Sequence, residues 1–169
     1  MRYCYLLLLI ALYSCKSISV SDSSTVTENQ FYYKVDSLSV GKTLQTLSSD
    51  EMQGRESGTK GGEKAADYLA DLLQKYKVKP YFKTYRDTLS NFEEGSAFNI
   101  VGVIEGNDAT LKNEYVILGA HYDHIGISEK GINGDFINNG ANDDASGVTA
   151  VSELAKYFGT HKTNKRSVL

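Results

Sequence analysis

The stretch Glu114-Tyr-Val-Ile-Leu-Gly-Ala-His-Tyr-Asp-His124 is nearly all apolar from Tyr115 to Ala120 and turns polar abruptly at His121. A short apolar run of this kind predicts a strand over Glu114 to Ala120, buried on both faces as in the middle of an α/β sheet. His121 then falls at the carboxyl end of that strand, where ligands gather in open α/β sheets. Asp123 lies two residues on and shares the side of His121 if the extended chain continues. A metal-bound imidazole usually gives its other N–H to a carboxylate. His121 and Asp123 can therefore act as a ligand and the group that orients it, although the pair taken alone is better read as an ordinary satisfied surface histidine. His124 lies on the turn and is expected to face elsewhere.

A second cluster, Gly140-Ala-Asn-Asp-Asp-Ala-Ser-Gly147, sits immediately before a helical pattern. One acid or amide there would serve as an ordinary N-cap. Asn142, Asp143 and Asp144 come in succession between small residues, which let a metal or substrate approach the backbone. A carboxylate can bridge two cations and a single histidine cannot. Zinc takes His nitrogen and Asp or Glu oxygen, with about three protein ligands per catalytic ion and one position left for water. The helix is expected from Ala145 to Phe158, with Val148, Val151, Leu154, Ala155 and Phe158 inward and Gly159 as its C′ residue.

Upstream, Val40, Leu44 and Leu47 have helical spacing, and a loop over residues 48–62 follows. Ala65, Leu69, Leu72, Leu73 and Tyr76 form the stripe of a second helix, with Thr59 as N-cap, Glu63 in the first turn and Pro80 as the stop. Tyr81 to Thr88 reads as an edge strand, Phe98 to Ile104 as a second strand, and Ile125 to Asn139 as a loop. Arg166 to Leu169 reads as the start of a further strand. Helices alternating with a buried strand argue an α/β fold.

The leader reads differently. Met1-Arg2 is a brief basic region, Tyr3 to Leu12 an apolar run too short to span a bilayer, and Leu12-Tyr-Ser-Cys15 resembles a bacterial lipobox. Residues 1–14 are expected to be a lipoprotein signal peptide, with Cys15 acylated. Residues 15–34 form a Ser/Thr-rich tether and residues 35–169 the domain. A plain secretory signal with an incidental cysteine is the competing reading. Cys4 and Cys15 are the only cysteines, so the domain itself has neither thiol nor disulfide. Without Arg2, 17 basic and 21 acidic residues remain, a balance of −4 with no basic cluster. That excludes a nucleic-acid partner, because phosphate binding needs clustered Lys and Arg.

The two motifs, about twenty residues apart, resemble those of the dizinc exopeptidases, the family of bacterial leucyl aminopeptidases, folate-hydrolase type carboxypeptidases and glutaminyl cyclases. Met52-Gln-Gly-Arg-Glu-Ser-Gly-Thr59 with Ala65-Ala-Asp-Tyr-Leu69, and Phe98-Asn-Ile-Val-Gly-Val-Ile-Glu-Gly106, are similar to the same family's earlier segments. The resemblance covers most of residues 38–169. It implies a three-layer α/β sandwich with a mixed central sheet, the phosphorylase/hydrolase-like fold. It implies His121 and Asp143 as zinc ligands, Asp123 orienting His121, Asp143 bridging two zinc ions, and a cis peptide between Asp143 and Asp144.

The family also uses a Glu-Glu pair, one member the general base and the other a ligand, and a later Asp and His. None of these lies before Leu169. Glu129, Asp135, Glu153 and His161 do not stand where the family places them and read as solvated surface groups. The chain is therefore expected to be the front part of a longer enzyme. Alone it should bind metal weakly, leave peptides intact, and leave Val116 to Ala120 partly uncovered. The expected whole is an exported, lipid-anchored aminopeptidase acting on peptides at the outer membrane or periplasmic face. A glutaminyl cyclase or carboxypeptidase of the same fold, or a non-catalytic lipid-anchored binding module, are the alternatives.

Overall fold

A computed structural model describes residues 33–90, 92 and 97–169. The signal peptide, Cys15 and nearly all of the tether lie outside the described residues. Residues 33–169 form one compact unit. The order is α1 (Ser37–Leu47), a 3-10 segment (Asp50–Arg55), α2 (Lys60–Lys75), β1 (Lys79–Pro80), β2 (Arg86–Thr88), β3 (Phe98–Ile100), β4 (Gly102–Val103), β5 (Tyr115–Val116), β6 (Ile127–Ile132), β7 (Asp135–Ile137), α3 (Ser146–His161) and β8 (Ser167–Val168). The α/β class holds. Pairing is mixed: β5 and β8 are parallel, while β1–β4, β2–β3 and β6–β7 are antiparallel. Ile104, just after β4, bridges Val168 and so links the β1–β4 pair to the β5–β8 pair.

Capping and periodicity explain the helices. Asp36 accepts the Leu38 N–H at 3.1 Å and opens α1. Thr59 accepts the Gly62 N–H at the start of α2, and Glu63 lies in the first turn. The α2 stripe buries Ala65, Leu69 and Leu72 in one core with Leu47, Tyr76, Ile104, Val148, Ala155 and Val168. Helix α2 closes before Pro80: Tyr76 is its C-cap, Lys77 takes φ 60°, and the Val78 N–H returns to the Leu73 carbonyl at 3.0 Å.

Several expectations change. Helix α3 runs through Gly159 to His161 and ends at Lys162, whose φ is 52°. Gly159 is a packing glycine rather than a C′ residue, because a Cβ there would overlap the carbonyl oxygen of Tyr76. The buried face of α3 is Val148, Thr149, Ser152, Glu153, Ala155 and Gly159, while Leu154 is exposed. The strand after Glu114 is not buried on both faces: Tyr115 is 51% exposed, Val116 44% and Ile117 72%. Among the described residues only β8 pairs with β5, so the apolar run lacks the neighbours that would cover it.

Residues 127–137 are a hairpin rather than plain loop. Its tip is Asn133-Gly134, both at positive φ, the signature of a tight type I′ turn. Part of the expected loop over residues 48–62 is 3-10, with Gln53, Gly54 and Arg55 at positive φ.

Candidate metal site

The site is built where three segments meet: the chain leaving β5, the turn entering α3, and the 3-10 segment before α2. Past β5 the chain stays extended, and the Leu118 N–H bonds the Leu169 carbonyl at 2.8 Å. Tyr122 then anchors through its hydroxyl to the Phe98 carbonyl at 2.7 Å. The N–H groups of His124 and Gly126 donate to the carbonyls of Arg55 and Gly54 at 3.2 and 3.1 Å. This ribbon leaves His121 and Asp123 at the rim, with side chains 55% and 46% exposed.

His121 Nδ1 faces Asp123, at 3.2 Å from Oδ1 and 3.1 Å from the carbonyl oxygen. The other carboxylate oxygen of Asp123 accepts from the Ser57 hydroxyl at 2.9 Å. Across the gap, His121 Nε2 stands 3.0 Å from Asp143 Oδ1. Asp143 lies in the wide turn Ala141–Ala145 that leads into α3, and the Asp143–Asp144 peptide is cis. Asp144 accepts the Gly147 N–H at 3.0 Å and so satisfies a free donor in the first turn of α3.

The electrostatics follow from this layout. Burial pulls the His121 pKa down, but the hydrogen bonds and charge of Asp123, with the charge of Asp143, outweigh it and hold the imidazole above its ordinary value. Both ring nitrogens face carboxylate oxygens, so a proton on Nε2 occupies the place a cation would take.

These residues fit part of a zinc site. Zinc–donor distances near 2.0–2.2 Å at a tetrahedral angle leave two donor atoms roughly 3.3 Å apart. His121 Nε2 and Asp143 Oδ1 are close to that separation, and Asp123 supports the far side of the ring. Among the described residues no group of three or more His, Cys, Asp and Glu converges as a metal site. A cleft of about 620 Å³ reaches His121, Asp123 and Ser57 but not Asp143, and its walls are largely core residues such as Leu69, Ile100 and Val148. It is a gap in the packing between helices and strands rather than a chamber above the ligands.

His124, expected to face elsewhere, turns towards the site: Nδ1 is 3.7 Å from Asp143 Oδ2, and the ring is largely buried. Glu153 is no solvated surface group. It is buried on α3 and accepts from Ser39 Oγ at 2.9 Å and from Lys156. Glu129, Asp135 and His161 stay apart from His121: Glu129 and Asp135 belong to the hairpin and His161 ends α3. Ser57 and Arg55 were not singled out from sequence. The available signal was a hydroxyl and a lone arginine within a Gly-rich loop that matched the family pattern.

The profile of peptidase family M28 matches residues 99–169, which contain both motifs. A Zn-dependent exopeptidase from Parabacteroides distasonis ATCC 8503 shares the fold at 21% identity and TM-score 0.59, over 80% of this chain and 46% of that one. Tannerella forsythia glutaminyl cyclase does so at 20% identity and TM-score 0.57, over 80% and 46%. Porphyromonas gingivalis glutaminyl cyclase does so at 20% identity and TM-score 0.57, over 79% and 45%. The chain therefore spans less than half the length of each of these structures. No curated protein matches the sequence. Residues 99–169 thus match peptidase family M28, and the chain shares the fold of these zinc-exopeptidase and glutaminyl cyclase structures.

Proposed function

We propose that this chain supplies part of the metal site of a zinc-dependent aminopeptidase, with His121 and Asp143 as ligands and Asp123 orienting His121. The observation that carries the reading is the 3.0 Å approach of His121 Nε2 to Asp143 Oδ1, between residues 22 positions apart in the chain. Bound zinc would lower the pKa of a water and polarise the scissile carbonyl. The chain's own residues prepare for this. Asp123 engages Nδ1 and so leaves Nε2 to bind the metal, and Ser57 fixes Asp123 from behind. The second oxygen of Asp143 points to the other side, where His124 Nδ1 lies 3.7 Å away, which supports a two-ion site.

The substrate on this reading is a peptide with a free N-terminus, hydrolysed outside the cytoplasm by a protein anchored through acylated Cys15. A second reading, glutaminyl cyclase, is favoured by two solved structures of that name in the same fold. Release of the first amino acid by the enzyme that carries this chain supports hydrolysis. Ammonia release from an N-terminal glutamine, without release of the amino acid, supports cyclisation.

The metal reading is tested by zinc competition against a chromophoric chelator, using the full chain, His121→Ala and Asp143→Ala. Weak binding lost in both variants is expected. Binding that survives both substitutions would count against the site.

A further inference from the structure

Arg55 has no exposed surface, and among the described residues no carboxylate forms a direct ion pair with it. Its guanidinium instead donates to four backbone carbonyls. Nε reaches Tyr122 O at 2.7 Å, Nη1 reaches Asn139 O at 2.6 Å and also Leu47 O, and Nη2 reaches Gly140 O at 2.9 Å. Tyr122 follows His121 directly, and Gly140 lies three residues before Asp143. One planar group thus bonds both segments that carry the proposed ligands, and secures them to the end of α1.

The surroundings are shaped around this group. Gly140 has φ 58°, and a Cβ there would stand 2.6 Å from Arg55 Nη2 and 2.7 Å from the His124 ring. The Arg55 carbonyl accepts the His124 N–H, so backbone and side chain of one residue hold the same ribbon. A buried charge is tolerated when its donors are satisfied. Here that requirement places three separate segments around one fork. Lysine would keep the charge, but its single ammonium cannot span these carbonyls.

We infer that Arg55 is a positioning residue whose guanidinium sets the His121 ribbon and the Asp143 turn at their mutual distance. The inference rests on the proposed metal reading only for what those segments carry.

Hydrogen exchange of the metal-free full chain separates positioning from general stability. Arg55→Lys is expected to speed exchange over residues 120–126 and 138–145 by roughly tenfold or more, and to leave residues 62–75 of α2 unchanged. A uniform rise, or no change, overturns the inference. The companion readout is zinc affinity, expected to fall roughly 10- to 100-fold in Arg55→Lys, as for other supports of metal ligands; unchanged affinity with His121-dependent binding would also overturn it. If wild-type zinc uptake proves indifferent to His121→Ala, the metal reading fails while the exchange data still decide the role of Arg55. A measurement on the unaltered chain covers the case in which the variant does not fold. Separate, slowly exchanging Nη signals of Arg55, with through-space contacts to both Tyr122 and Gly140, support the clamp. A single averaged Nη signal overturns it.

Discussion

Gly140→Ala puts the packing around the site to a quantitative test. The residue sits at φ 58°, a left-handed conformation that costs an L side chain roughly 1–2 kcal/mol. The added methyl would also lie 2.6 Å from Arg55 Nη2, 2.6 Å from Asp143 O and 2.7 Å from His124 Cγ. Overpacking of a close-packed region typically costs about 1–3 kcal/mol. The two terms together predict a loss of about 2–5 kcal/mol, against a total of roughly 5–15 kcal/mol for an ordinary domain. Gly134→Ala is the matched control. Its φ is 86°, but nothing lies within 4 Å of the Cβ position, so only the conformational cost of about 1–2 kcal/mol applies. Urea unfolding followed by circular dichroism reads both. At a slope near 2 kcal/mol per molar urea, Gly140→Ala should lower the midpoint by roughly 1–2.5 M. Gly134→Ala should lower it by about half as much or less. Equal shifts in the two variants would refute the claim that Gly140 is held by the close approach of Arg55 and Asp143.

Gly159→Ala sets helix propensity against packing. Alanine favours the helix by about 1 kcal/mol, but its Cβ overlaps the Tyr76 carbonyl at a cost of about 1–3 kcal/mol, so the same unfolding assay should show a net loss near 1 kcal/mol. A gain in stability would mean that α3 does not meet the end of α2 at this residue. Ser57→Ala removes the hydroxyl that holds Asp123 at 2.9 Å and should weaken zinc binding roughly tenfold with the unfolding midpoint nearly unchanged; equal affinity would contradict it. Asp108 accepts the N–H groups of Leu111 and Thr110, both at 2.9 Å, and these hold its carboxyl below the ordinary 3.8. Its folded pKa is depressed, so its contribution to stability is present above 3.8 and is lost as pH falls through the folded value. A carbon-13 titration of the Asp108 carboxyl should therefore have its midpoint below 3.8, and a midpoint at or above that value would contradict the turn.

Much of the fold was legible because it follows from local pattern. The stripe from Ala65 to Tyr76 marked α2, and Thr59 and Glu63 marked its start. The site's two motifs were legible because their residue types are unusual together: an imidazole, its carboxylate at the second position, and consecutive acids before a helix. What escaped depends on tertiary approach. Gly159 looks like a helix terminator in sequence, and only the nearness of Tyr76 shows why a glycine is needed within α3. Glu153 looks solvent-facing on a helical wheel, but Ser39 of α1 arrives to bind it. The apolar run through Ile117 reads as buried, while its exposure depends on neighbours that the local pattern does not contain. Arg55 carries no recognisable partner residue, because all its acceptors are backbone carbonyls from distant segments. The hairpin was available in principle: Asn133-Gly134 between Ile132 and Asp135 is a strong turn signal that the loop reading passed over.

The central claim is that His121 and Asp143 bind one metal ion together, and zinc-edge anomalous diffraction from zinc-soaked crystals of the full chain addresses it most directly. The account predicts an anomalous peak between His121 Nε2 and the Asp143 carboxylate, about 2.0–2.2 Å from each donor. A peak at the hairpin carboxylates or at His161 instead, with none beside His121, would contradict it.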